Sequence, residues 1–179
     1  MSKKVLIISS SPRRGSNSDA LCDEFMRGAV DAGHEVEKVA LRDVTVNPCR
    51  GCGACSFHAL PCPQRDDAPS IVRRMVEADV IVMGTPVYFY SMSAQMKALI
   101  DRTCGPYTEM RGKEFYVIAT AAEEDEWIMG RVMTGFQGFF DCLEEPVVRG
   151  TLFCGGVTHV GDIEGNGALD EAYQMGRQV

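Results

Sequence analysis

The chain reads as a doubly wound α/β domain, a five-stranded parallel sheet with helices on both faces. Three observations carry that reading. Val5-Leu6-Ile7-Ile8 and Val80-Ile81-Val82-Met83 are continuous aliphatic runs without polar alternation, the pattern of strands buried on both faces. Segments with apolar residues three and four apart separate such runs, so strand and helix alternate. The length of 179 residues, with no linker, repeat or low-complexity tract, suits a single domain spanning 1–179.

The elements follow in order. Val5 to Ile8 forms the first strand and ends in the turn-rich stretch Ser9 to Gly15. Ser16-Asn17-Ser18 supplies capping residues for a helix carrying Ala20, Leu21, Phe25, Ala29 and Val30, which Gly33 stops. His34 to Ala40 alternates like a more exposed strand, and right-handed crossover makes it parallel to the first. A cysteine-rich insertion interrupts the pattern at about 41–65. Asp66-Asp67 opens a helix carrying Ile71, Val72, Met75 and Val76, and Asp79 to Gly84 is the next strand. A helix from about Ser93 to Cys104 buries Met96, Leu99 and Ile100. Phe115 to Ala119 is the fourth strand, Ile128 to Leu143 a glycine-interrupted helix, Val147 to Cys154 the fifth strand, and a last helix starts at Ala168. In such sheets ligands bind beyond the carboxyl ends of the strands.

Hydrophobic residues at 45% and charged residues at 24% describe a globular protein, and the net charge is −7. That acidity argues against a phosphate-tracking nucleic-acid binder, which needs a basic face. The apolar run behind Met1-Ser2-Lys3-Lys4 is too short for a signal peptide, and none elsewhere is long enough to span a membrane. The expectation is a cytoplasmic protein with no membrane and no nucleic-acid partner, whose 8 cysteines stay reduced. Cys22, Cys104, Cys142 and Cys154, scattered among apolar residues, read as small core hydrophobes.

The loop Ser9-Ser10-Ser11-Pro12-Arg13-Arg14-Gly15-Ser16-Asn17-Ser18 joins a buried strand to a helix N-terminus. Its hydroxyls, amide and guanidinium groups, with free backbone N–H groups and the helix dipole, suit a terminal phosphate or make an ordinary capped turn. It is neither a P-loop nor a dinucleotide fingerprint. The stretch Thr85 to Tyr90 places a proline and three aromatics at the end of a buried strand, where an apolar ring could stack. The same aromatics would equally cap the core or form a dimer contact.

Together the first loop and Gly84-Thr85-Pro86-Val87-Tyr88-Phe89-Tyr90-Ser91-Met92-Ser93-Ala94-Gln95-Met96-Lys97-Ala98-Leu99-Ile100-Asp101-Arg102 resemble the NAD(P)H-dependent FMN reductase branch of the flavodoxin-like superfamily. The resemblance implies that Ser11, Arg13, Ser16, Asn17 and Ser18 hold the FMN phosphate, and that Pro86, Val87, Tyr88 and Phe89 hold the flavin ring. Thr120 fits the family's third loop, although the glycines expected beside it are replaced by Ala121 and Ala122. The acids Glu123 to Glu126 read as a solvated helix start. Thr158 to Ile163 also resembles a family segment, with no chemistry attached to it.

Cys49-x2-Cys52-x2-Cys55-x6-Cys62-Pro63 is the most distinctive local pattern. Gly51 and Gly53 ease a tight coil, and six residues including Leu60-Pro61 let the fourth thiol bend back. The spacing resembles that of the iron–sulfur flavoproteins, which implies one [4Fe–4S] cluster on Cys49, Cys52, Cys55 and Cys62. A loop without any bound group, a zinc site with His58 as substitute ligand, and redox-cycling thiols fit the same residues. His34 and His159 receive no role.

The resemblance further implies an oxidoreductase that draws electrons from NAD(P)H. The acceptor would be a quinone, a nitro or azo compound, a free flavin or a protein, and the expected assembly is a homodimer or tetramer. The flavin would carry the chemistry, so no residue need be catalytic, although Tyr88 could orient or protonate substrate at the flavin face. The rival reading is a non-catalytic iron–sulfur flavoprotein exchanging electrons with ferredoxin-like partners, for which an acidic surface suits docking to basic partners.

Overall fold

The computed structural model describes residues 1–179. Its strands are β1 (Lys4–Ser9), β2 (Glu35–Ala40), β3 (Val80–Pro86), β4 (Glu114–Thr120) and β5 (Val147–Cys154). All pair in parallel, in the order β2-β1-β3-β4-β5. The helices are α1 (Asn17–Asp31), α2 (Ala54–His58), α3 (Ala68–Glu77), α4 (Ala94–Arg102), α5 (Trp127–Phe140) and α6 (Ala168–Arg177). The five strands read from the sequence are all present, and α2 is an added turn inside the cysteine segment.

The period of two along each strand sorts the core into two layers. Leu6, Ile8, Ile81, Met83, Phe115 and Val117 face α3, α4 and α5, where they meet Ile71, Met75, Met96, Leu99, Phe136 and Phe140. Val5, Ile7, Val80, Val82, Tyr116 and Ile118 face α1 and α6, where they meet Leu21, Phe25 and Ala172. Each large side chain fully buried in this way contributes about 1.5–3 kcal/mol. Helices α1 and α6 approach so closely that a Cβ at Gly28 would lie 2.1 Å from the Tyr173 carbonyl oxygen, and one at Gly176 2.1 Å from that of Phe25. Gly84 in β3 serves the same end, since a Cβ there would sit 2.2 Å from Cys22 Sγ.

The scattered cysteines divide. Cys22 and Cys154 are buried core residues, as expected, but Cys104 and Cys142 are exposed. Cys104 lies just past the end of α4, in the turn after the apolar stripe has ended. Cys142 follows α5, and its Sγ donates to the Gly138 carbonyl at 3.3 Å. Neighbours in sequence misled here, because both cysteines fall just outside a helix.

Candidate functional site

The chain runs from β1 to one side of the sheet and returns at β3 on the other, so the loops after these strands part at the topological switch point. Ser16 caps α1, accepting from the Asp19 N–H at 3.3 Å. The backbone N–H groups of Asn17 and Ser18 find no acceptor in the chain, as befits a first helical turn. Free donors and the positive end of a 15-residue helix therefore meet at this loop.

The loop is braced from behind. The buried Asp19 carboxylate accepts from Ser9 Oγ at 2.7 Å and pairs with Lys38 Nζ at 2.7 Å and Arg42 Nη1 at 2.8 Å. Burial alone would raise the Asp19 pKa, but hydrogen bonds from Lys38 and Ser9 and the charges of Lys38 and Arg42 win, and it is lowered. Burial likewise pushes Lys38 down, yet Asp19 and Asp23 hold it above its ordinary value. The pair thus stays ionised beneath the loop.

Across the switch point, the Val87 N–H donates to the Thr120 carbonyl at 2.8 Å, joining the loops after β3 and β4. Tyr88 and Ser91 exchange backbone hydrogen bonds at 3.0 and 3.1 Å, forming a tight turn. Its central residues Phe89 and Tyr90 have φ of 49° and 59°, a left-handed conformation costly for side chains of this size. Tyr90 is steadied from outside, its ring 4.9 Å from that of Trp127 and its hydroxyl donating to Glu123 at 3.2 Å.

These loops enclose a cleft of about 180 Å³. Ser11, Arg13, Ser16, Asn17 and Ser18 line one end, and Pro86, Val87, Tyr88 and Thr120 another. Phe89 is not among the lining residues: its side chain is fully exposed. The left-handed turn is the reason, since it lifts residue 89 off the loop into solvent.

Five lining residues lay outside the sequence assignment: Ala121, Ala122, Val157, Thr158 and Val160. The signal for the last two was the segment Thr158 to Ile163, whose role is now concrete. Arg13 Nη1 donates to the Thr158 carbonyl at 2.8 Å, and Asn17 Nδ2 to the His159 carbonyl at 2.9 Å. Asp162 holds that segment by accepting the Thr158 and His159 N–H groups, which lower its pKa. The acids Glu123 to Glu126 are solvated ahead of α5, as read, although Glu123 also receives the Tyr90 hydroxyl.

A second, larger cavity of about 720 Å³ opens beside α4. Cys49, Cys52, Cys55 and Cys62 line it, all as free thiols. Cys104 joins them, the one member missed by reading it as core. Gly51 and Gly53 take φ of 61° and 73°, which permits the coil. The donor type suits an iron–sulfur cluster, although no three thiol, imidazole or carboxylate groups are gathered at metal-holding distance. His58 is not itself among the lining residues, although its neighbours Phe57 and Ala59 are.

Strand order and cleft together define a flavodoxin-like protein with a cleft at its β1/β3 switch point. Residues 3–128 match the profile of the NADPH-dependent FMN reductase family, and the chain belongs to that family. An iron–sulfur flavoprotein of Methanosarcina thermophila is 30% identical over 175 residues, covering 96% of this chain and 87% of that one. An iron–sulfur flavoprotein of Methanocaldococcus jannaschii is 43% identical over 100 residues, 56% of this chain and 51% of its own. The chain spans about half the length of several curated relatives it matches. Among solved structures, an NAD(P)H:quinone oxidoreductase of Methanothermobacter marburgensis superposes with a TM-score of 0.75 at 22% identity, over 99% of this chain and 97% of that one, a likeness of fold. No helix is long and apolar enough to cross a membrane.

Proposed function

We propose that the protein is an FMN-dependent oxidoreductase that takes electrons from NAD(P)H and passes them to a quinone, a nitro or azo compound, a flavin or a protein acceptor. One observation carries this reading: a capped helix N-terminus with free N–H donors and a Pro-Val-Tyr loop face each other across one cleft at the switch point. Ser11, Ser16, Asn17 and Ser18 would hold the FMN phosphate, with Arg13 adding charge from the rim. Pro86, Val87 and Tyr88 would lie beside the ring, and the backbone around Thr120 and Ala121 would close the cleft. Bound FMN supplies the hydride and single-electron chemistry. The chain's part is to bind, orient and exclude water. Phe89, Tyr90 and Trp127 leave apolar surface beside the cleft, which supports a second copy of the chain covering it.

The cysteine cavity favours a second component, a [4Fe–4S] cluster on Cys49, Cys52, Cys55 and Cys62 that exchanges electrons with a protein partner. Its support is the family of the relatives and four unpaired thiols on one cavity. Absorption spectra and metal analysis of protein purified without oxygen test both readings. Flavin bands with rapid NAD(P)H oxidation support the reductase. Added brown absorbance that bleaches with dithionite, at about four irons per chain, supports the cluster. A protein that neither binds FMN nor oxidises NAD(P)H overturns the reductase, and iron still stoichiometric in Cys55→Ala overturns the ligand set.

A further inference from the structure

The cysteine segment leaves the fold at Asn47 and returns at Asp66, and these two residues meet. Asp66 Oδ2 accepts the Asn47 backbone N–H at 2.9 Å and its Nδ2 at 3.1 Å. Arg102, the last residue of α4, seals the junction. Its Nη1 donates to the Asn47 carbonyl at 2.8 Å and to Asp66 Oδ2 at 2.6 Å, while Nη2 donates to Asp66 Oδ1 at 2.9 Å. The Arg102 and Asp66 side chains are 2% and 0% exposed. Nη2 also donates to Cys62 Sγ at 3.4 Å.

A buried ion pair gives little net stability, because desolvation of both charges offsets their attraction. Position explains this one better. The planar guanidinium reaches both ends of the loop neck and one cysteine sulfur at once, which the point charge of a lysine cannot do. An N–H donated to a ligand sulfur stabilises the more negative, reduced state of a bound cluster and raises its potential.

We propose that Arg102 is a positioning residue of the cysteine loop, closing its neck through Asp66 and Asn47 and presenting an N–H to the Cys62 sulfur, so that Cys62 serves as a hydrogen-bonded ligand and the reduced cluster is favoured. The second half rests on the cluster reading given above; the closed neck stands without it.

The test uses the full chain after anaerobic reconstitution with iron and sulfide. Asp66→Asn combined with Arg102→Gln keeps polar side chains without leaving a buried charge unpaired, and Arg102→Lys keeps charge without the fork. Flavin absorbance confirms that each variant is folded. The double variant is expected to take up less iron, or to hold it at a lower midpoint potential, with Arg102→Lys between it and the native chain. In metal-free protein, trypsin is expected to cut at Arg50 about tenfold faster in the double variant, because the neck opens more often. An iron-loaded double variant with native iron content and potential, or an unchanged cleavage rate, overturns the proposal. If the native chain takes up no iron, the cluster reading fails instead, and the cleavage rates alone decide the closed neck.

Discussion

Ser93 Oγ donates to Ser10 Oγ at 2.9 Å, joining two fully buried hydroxyls that are 83 residues apart in the chain. Ser10 in turn donates to the Gly84 carbonyl at 2.9 Å, and Ser93 receives the Met96 N–H at 3.3 Å as the cap of α4. The Ser93 backbone N–H donates to Thr85 Oγ1 at 2.9 Å. Both sides of the cleft therefore hang on one line of buried hydroxyls. Ser93→Ala removes a helix cap and leaves Ser10 short of a partner. It should cost about 1–2 kcal/mol, measured by urea denaturation.

Asn17 ties the first turn of α1 to the segment after β5, donating to the His159 carbonyl and accepting the Ile163 N–H at 3.3 Å. Asn17→Ala frees that wall from the α1 end of the cleft. FMN affinity should fall about tenfold in a fluorescence titration, for the loss of about 1.4 kcal/mol of binding. Phe89→Ala, outside the cleft, should leave FMN affinity unchanged in the same assay.

Arg102 beside Asp66 holds that carboxyl at about 2, below its ordinary 3.8. A depressed carboxylate pKa stabilises the folded state above about pH 4, and the benefit is lost as pH falls toward 2. The native chain should lose about 2 kcal/mol over that window from this group alone. Asp66→Asn should flatten that part of the acid-unfolding profile while lowering stability at neutral pH.

Gly28 and Gly176 let α1 and α6 touch backbone to backbone. The obstacle to a methyl group at either site is a carbonyl oxygen, which cannot swing aside as a side chain could. Either change to Ala should lower stability by about 1–3 kcal/mol in thermal melts, even though alanine is the better helix former.

Burial pushes the Cys22 thiol up to about 12 and raises that of Cys154, so neither supplies thiolate near neutral pH. In metal-free native protein, iodoacetamide should label the exposed Cys49, Cys52, Cys104 and Cys142 and spare these two, as read by peptide mass spectrometry.

Strands and helix faces were legible because their signals are local: Val80 to Met83 is apolar without alternation, and Ile71 and Met75 fall on one helical face. The cleft was legible where a motif fell on a strand end, as with Ser11 or Pro86. It was illegible where a backbone conformation decided the outcome. Nothing in the letters Phe89-Tyr90 announces two left-handed residues, and that conformation is what turns Phe89 away. Thr158 and Val160 line the cleft through contacts some 145 residues away in sequence, such as Arg13 to Thr158, beyond any periodic pattern. Cys104 was misassigned for a similar reason, since it meets the cysteine loop only once α4 has been laid beside it.

The meeting of Asn47 and Asp66 has a consequence for how the chain can be altered. A detour that exits and re-enters at one hydrogen-bonded point is a pendant, and the sheet does not register its length. Lengthening it costs only the slow logarithmic growth of loop-closure entropy. Residues between Cys49 and Cys62 could thus be shortened, extended or exchanged for another loop without shifting Ser11, Pro86 or Thr120. The fold carries the cleft at its switch point and its thiol loop as separable parts, joined where Asn47, Asp66 and Arg102 meet.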